Sequence, residues 1–185
     1  MKKEFAARRL DIRAFAEEGA SLSGAEAVDQ HPRLLAETAG RGRSRSPAPR
    51  PRGELRNPGH VHPEVWLHLK ADATLPLTCQ RCLHPVEVPV GVDRAFRFVA
   101  DEATAAAEDD QSEEDLLVLS RAFDLLGLIE DELLMEMPVA PRHEVCPEPV
   151  KLAVADEDFE AAETQRPNPF AQLEKLKGGG GGGKS

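Results

Sequence analysis

Between residues 61 and 99 apolar and polar side chains alternate. Val65-Trp66-Leu67-His68-Leu69-Lys70-Ala71 leads to Leu75-Pro76-Leu77-Thr78, then to Val86-Glu87-Val88-Pro89-Val90 and Val92-Asp93-Arg94-Ala95-Phe96-Arg97-Phe98-Val99. Successive side chains of a strand point to opposite faces, so this period predicts half-buried antiparallel strands. Cys79 to Pro85 reads as the turn at a hairpin end, and Leu116-Leu117-Val118-Leu119 as a further short strand. From Asp124 the period becomes helical. Leu125, Leu128, Ile129, Leu133 and Met137 share one face, Asp124 suits the N-cap, and Pro138 ends the run. Glu130, Asp131, Glu132 and Glu136 then read as the solvated face of that helix. Residues 5–40 fit one or two short helices around a strand, with Asp11 to Gly19 a helix closed by glycine. The pattern predicts an α+β fold. An antiparallel sheet over about 54–120 curls into a partial barrel, and one main amphipathic helix at 124–137 covers it.

Three stretches break the pattern. Residues 40–53 are rich in Arg, Pro and Ser and read as a mobile loop. Residues 101–115 hold eight acidic side chains and no basic one, which reads as a solvated loop. Beyond 150 the chain reads as an acidic linker, a short terminal helix capped near Asn168, and a Gly-rich disordered tail. The expected organisation is one α+β domain over 1–150 followed by a 151–185 appendage.

Charge and cysteine count narrow the classes. A net charge of -10 over 185 residues argues against a stand-alone nucleic-acid-binding domain and allows a basic partner. The local exception is the Arg-rich loop, where Arg41, Arg43, Arg45, Arg50 and Arg52 are candidates for contact with RNA phosphates. A disordered insertion without a partner is the plain alternative. No aromatics interleave with these arginines, so such contact would lack sequence preference. Neither a signal-peptide run nor an apolar stretch of membrane-spanning length is present, and three cysteines make no disulfide framework. A reduced, cytoplasmic setting follows as the expectation.

The chemistry gathers at two short motifs about sixty residues apart, Cys79-x-x-Cys82 and His143-x-x-Cys146. Together they supply Cys₃His, a set suited to one structural zinc, and no other cofactor is expected. The same thiols would alternatively pack as small hydrophobes. A thioredoxin-like pair needs a helix after the first thiol, whereas Pro85 and a strand pattern follow here. His84 is a possible substitute ligand. Gly178 to Ser185 matches the phosphate-loop pattern literally, but no helix follows it to face a phosphate.

Four stretches, in order, resemble the YceD family of large ribosomal RNA subunit accumulation proteins. They are Leu75 to Leu83 with the Cys pair, Phe123 to Leu134 with Glu130, Asp131 and Glu132, Pro138 to Cys146, and Arg166 to Ala171 with Leu173, Leu176 and Lys177. The resemblance implies a non-enzymatic role in the synthesis, processing or stability of 23S rRNA. The implied partner is 23S rRNA or a large-subunit precursor, reached directly or through a basic ribosomal protein. In some relatives the second pair is two cysteines, and the 41–52 stretch and the Gly tail depart from the family pattern. Two other classes stand beside this reading. A zinc-stabilised adaptor would bind a basic ribosomal protein through residues 101–115. A thiol oxidoreductase or nuclease would show in a low Cys79 pKa, or in rRNA cleavage that needs Glu130 and Asp131.

Overall fold

The alternation over 64–99 folds as one long hairpin. The computed structural model describes residues 4–23, 31–38 and 49–148. Its elements are α1 (Ile12–Glu17), α2 (Pro32–Glu37), β1 (Arg50–Arg56), β2 (Glu64–Thr78), β3 (Pro85–Val99), α3 (Glu102–Glu108), β4 (Asp115–Val118) and α4 (Leu125–Met135). The chain divides into units Met1–Pro147 and Glu148–Ser185, and all described residues but Glu148 belong to the first. The expected terminal helix and Gly tail, the Arg166–Ala171 motif, and Arg41, Arg43 and Arg45 lie outside the described residues.

The fold is α+β, with an open sheet ordered β1-β2-β3-β4. β1 and β2 pair antiparallel, as do β2 and β3, from Val65↔Phe98 to Thr78↔Pro85. The sheet is nevertheless mixed, because β4 joins β3 in parallel through Phe96↔Asp115 to Val99↔Val118. The reason is the crossover. Residues 101–115 were expected to be a loop, but Glu102–Glu108 form α3 and a 3₁₀ turn follows at Asp109–Gln111. Ala103, Ala105, Ala106 and Ala107 favour helix, and Asp101 caps it by accepting the Thr104 N–H at 2.8 Å. A helical connection returns the chain in the same direction.

Residues 50–53 depart from the expected mobile loop in a similar way. They begin β1, with Pro51 and Gly53 facing in and Arg50 and Arg52 facing out. Proline is tolerated at an edge strand, and β1 is one. Near the N-terminus no strand forms among the described residues; two isolated bridges, Leu10↔Phe123 and Ser21↔Arg52, tie that segment down.

Odd-numbered β2 residues from Val65 to Leu77 face the core with Val90, Val92, Phe96 and Phe98 of β3. Helix α4 closes this face with Leu125, Leu126, Ile129 and Leu133, and α1 with Ile12, Phe15 and Ala16. Asp124 caps α4, accepting the Gly127 N–H at 3.1 Å. Helix α1 lies so close to β1 that a Cβ at Gly53 would meet Phe15 Cδ1 and Phe15 O at 2.7 Å. Gly53→Ala is therefore expected to lower stability by about 1–3 kcal/mol, measured by urea denaturation. Unchanged stability would mean that α1 shifts freely, against the packing seen. No helix among the described residues is long and apolar enough to cross a membrane.

Candidate metal centre

The β2–β3 turn holds both Cys79 and Cys82 at the far end of the hairpin. The Cys79 N–H donates to His84 O at 2.9 Å, and the Leu83 N–H returns to Cys79 O at 2.9 Å. Leu83 takes a left-handed φ of 62° to complete the turn. The loop after α4 comes to the same place. Gln80 N–H donates to Pro141 O at 2.8 Å, and Arg81 Nη2 donates to His143 O at 2.8 Å and to Glu144 O at 3.2 Å. Cross-links at 61 to 65 residues' separation thus bring the two sequence motifs together.

One donor atom from each of Cys79, Cys82, His143 and Cys146 lies within 4.8 Å of all the others. Around a tetrahedral zinc with Zn–S near 2.3 Å, ligand atoms stand roughly 3.8 Å apart. The four residues fit such an ion after a contraction of about an ångström. The histidine is already oriented for it. His143 Nε2 lies 2.9 Å from Pro85 O, which can only accept, so Nε2 carries the proton. The lone pair is left on Nδ1, 3.4 Å from Cys82 Sγ. Ligating histidines are commonly fixed through their other nitrogen in this way. His84 does not join the cluster; its carbonyl closes the turn.

Charge is managed unevenly. Burial opposes ionisation of Cys79, which is fully buried. Backbone N–H groups of His143, Cys82 and Arg81, with the Cys82 thiol, outweigh that burial and bring the Cys79 pKa down to about 5. Burial pushes Cys82 upward, and Cys146 and Cys79 push it further against the His84 N–H. Arg81 Nε donates to Cys146 Sγ at 3.0 Å. All three cysteines are free thiols. No helix begins at either turn cysteine, since β3 follows directly.

The acidic motif lies elsewhere, and it is a solvated face only at Asp131 and Glu136. Glu130 and Glu132 are buried. Glu130 Oε1 accepts the Arg33 N–H at 2.7 Å and the Leu34 N–H at 3.2 Å, and Oε2 accepts Arg33 Nε at 3.1 Å. It thereby caps α2, whose N-cap residue His31 makes no side-chain capping bond. Asp131 pairs with Arg33 at 2.5 Å. Glu132 accepts Arg94 Nη1 at 2.9 Å, and Arg94 also pairs with Asp115. These carboxylates join α4 to α2 and to the sheet, and they turn toward arginines.

The family match covers the elements that build the centre. Residues 67–177 match the family described as large ribosomal RNA subunit accumulation protein YceD. The chain belongs to the YceD family. The chain is also 31% identical to the large ribosomal RNA subunit accumulation protein YceD of Haemophilus influenzae over 128 residues, 64% of this chain and 70% of the relative. No solved structure matches. The YceD match takes in the hairpin, α4 and all four Cys/His residues. Sequence reasoning missed Arg81, which ties the two loops, and Arg94, which answers Glu132. Arg81 is the one charged residue between the turn cysteines. Arg94 breaks the apolar period of β3's inner face, and a charge at such a position signals a buried partner.

Proposed function

We propose that this chain is a non-catalytic factor for accumulation of large-subunit ribosomal RNA, acting in the synthesis, processing or stability of 23S rRNA. Cys79, Cys82, His143 and Cys146 hold one structural zinc in this reading. The observation that carries it is the family match over residues 67–177, which spans both halves of a four-ligand cluster. Four protein ligands leave a zinc ion no open position for substrate, so its role is to pin the post-α4 loop to the hairpin. The low Cys79 pKa, which a thiol enzyme would also have, serves ligation here. Reactive cysteines are partly exposed, and Cys79 is 0% exposed.

Deleting the gene in its host and profiling ribosomal particles on a gradient tests the role. The expected result is a shortage of large subunits and 23S rRNA with normal 16S rRNA, restored by the intact gene. A normal profile with normal 23S rRNA would end this reading.

One observation favours a second reading, in which the chain adapts a basic ribosomal protein. Asp109, Asp110, Glu113 and the rest of the 101–115 segment present mostly exposed carboxylates. A pull-down that loses its partner when these are neutralised supports the adaptor over direct RNA contact.

A further inference from the structure

The outer face of β1 and β2 sets one pair of like charges directly opposite, Arg50 and Lys70. Arg52 faces His68. A like-charge pair directly opposite is destabilising, so the fold gains nothing from placing Arg50 against Lys70. Lys70 is answered by Asp93 at 2.7 Å, and His68 by Glu54 at 2.6 Å. Among the described residues, no ion pair or hydrogen bond answers Arg50 or Arg52, and both are exposed. Along the same face Arg56 lies over the Trp66 ring, its Cζ 3.9 Å from the centroid. Glu54 holds it at 3.1 Å, and Trp66 is itself held by Glu64 through Nε1 at 2.9 Å.

We propose that this face binds single-stranded RNA along β1, with phosphates on Arg50 and Arg52 and a base on the exposed side of the Arg56 guanidinium, which lies over the buried Trp66 ring. The inference deepens the proposed function and rests on it for the choice of RNA. Arg50 and Arg52 are two residues apart on one strand face, hence roughly 7 Å apart, close to the spacing of successive phosphates on one strand. A guanidinium already seated on an indole is ordered before the base arrives, which lowers the entropic cost of stacking on it. Part of the chain's acidity lies on this face, where Glu54, Asp93 and Glu108 are each held in an ion pair. Eight of the chain's carboxylates fall within 101–115, on α3, the turn after it and β4. Glu108 of α3 pairs at 2.8 Å with Arg97, the register partner of Trp66, so α3 flanks the Arg56–Trp66 end of this face, whereas Arg50 and Arg52 lie toward the other end of β1.

The test uses the full chain and a fluorescent oligouridylate of about twelve nucleotides, long enough for one such groove. Anisotropy is followed from about 50 to about 200 mM salt. Each phosphate contact on a single strand contributes about 0.7 to the slope of log K against log salt, so R50A/R52A is expected to reduce that slope by about 1.4. R56A is expected to weaken binding about tenfold, with less change in slope, because it removes a stack. Circular dichroism melting checks that both variants fold. No binding by the wild type at low salt, or an unchanged slope in a folded R50A/R52A, overturns the proposal. So does tighter arginine-dependent binding of polyglutamate than of RNA, which would make the face a site for acidic protein. A loss of 23S rRNA on gene deletion with any of these outcomes leaves the proposed function standing and removes only this surface.

Discussion

Cys79→Ser lowers the melting temperature of the full chain by about 10 °C or more, and zinc chelation of the wild type does the same. Under the proposed zinc reading, Cys79 is the ligand on which the centre depends most. Its side chain is fully buried. Its thiol already receives backbone N–H groups from both loops, those of Cys82 and Arg81 on one side and of His143 on the other. A serine hydroxyl at that place keeps the size but is a poor zinc ligand at neutral pH. The post-α4 loop would then lose the proposed ion and retain the Gln80, Arg81 and His143 hydrogen bonds. Differential scanning calorimetry with and without chelator reads both effects. A Cys79→Ser protein that melts with the wild type, and does not differ from it after chelation, would show that no ion pins the loop.

Glu130→Gln destabilises the protein by about 2–4 kcal/mol at neutral pH, and the difference narrows in acid. The carboxylate side chain is 7% exposed and takes three hydrogen bonds, two from the start of α2 and one from the Arg33 guanidinium. Burial works to raise its pKa, but the Leu34 and Arg33 N–H groups and the Arg33 side chain outweigh it and hold the pKa below the ordinary 4.5. A pKa lower in the folded than in the unfolded chain gives stability that is fully present above the unfolded value. That stability is lost as pH falls through the folded value. Glutamine does not ionise, so the gap between wild type and variant is constant above about pH 4.5, narrows as pH falls from there through the depressed pKa, and levels off below it. Other carboxylates titrate in both proteins and cancel in the difference. Urea denaturation across this range measures it, and a gap of the same size in acid would contradict the assigned role of Glu130.

The strands and α4 were legible because their apolar periods are clean and long. Val65 to Val99 alternates with few breaks, and Asp124 and Pro138 mark the bounds of α4 to within a few residues. Two short gaps in the alternation, at Asp72–Thr74 and Gly91, suggested separate strands, yet β2 and β3 run through them. Pairing between two long partners outweighs local preference there. In the 101–115 segment the acidic run masks the alanines that favour a helix, and with that helix the parallel direction of β4 was hidden. The two ligand pairs were legible by residue type and spacing. Their meeting was not, because it depends on where the loop after α4 lands. Glu130 and Glu132 were obscured because a carboxylate in a helix usually faces water. Only the positions of Arg33 and Arg94 in the fold explain why these two do not.

Native mass spectrometry of the intact protein, purified without added metal or chelator, most directly tests the claim that two ligand pairs about sixty residues apart share one ion. The account predicts one zinc per chain, retained in the wild type and lost in both Cys79→Ser and His143→Ala. A wild-type protein that carries no metal, or zinc that survives loss of His143 undiminished, would contradict it.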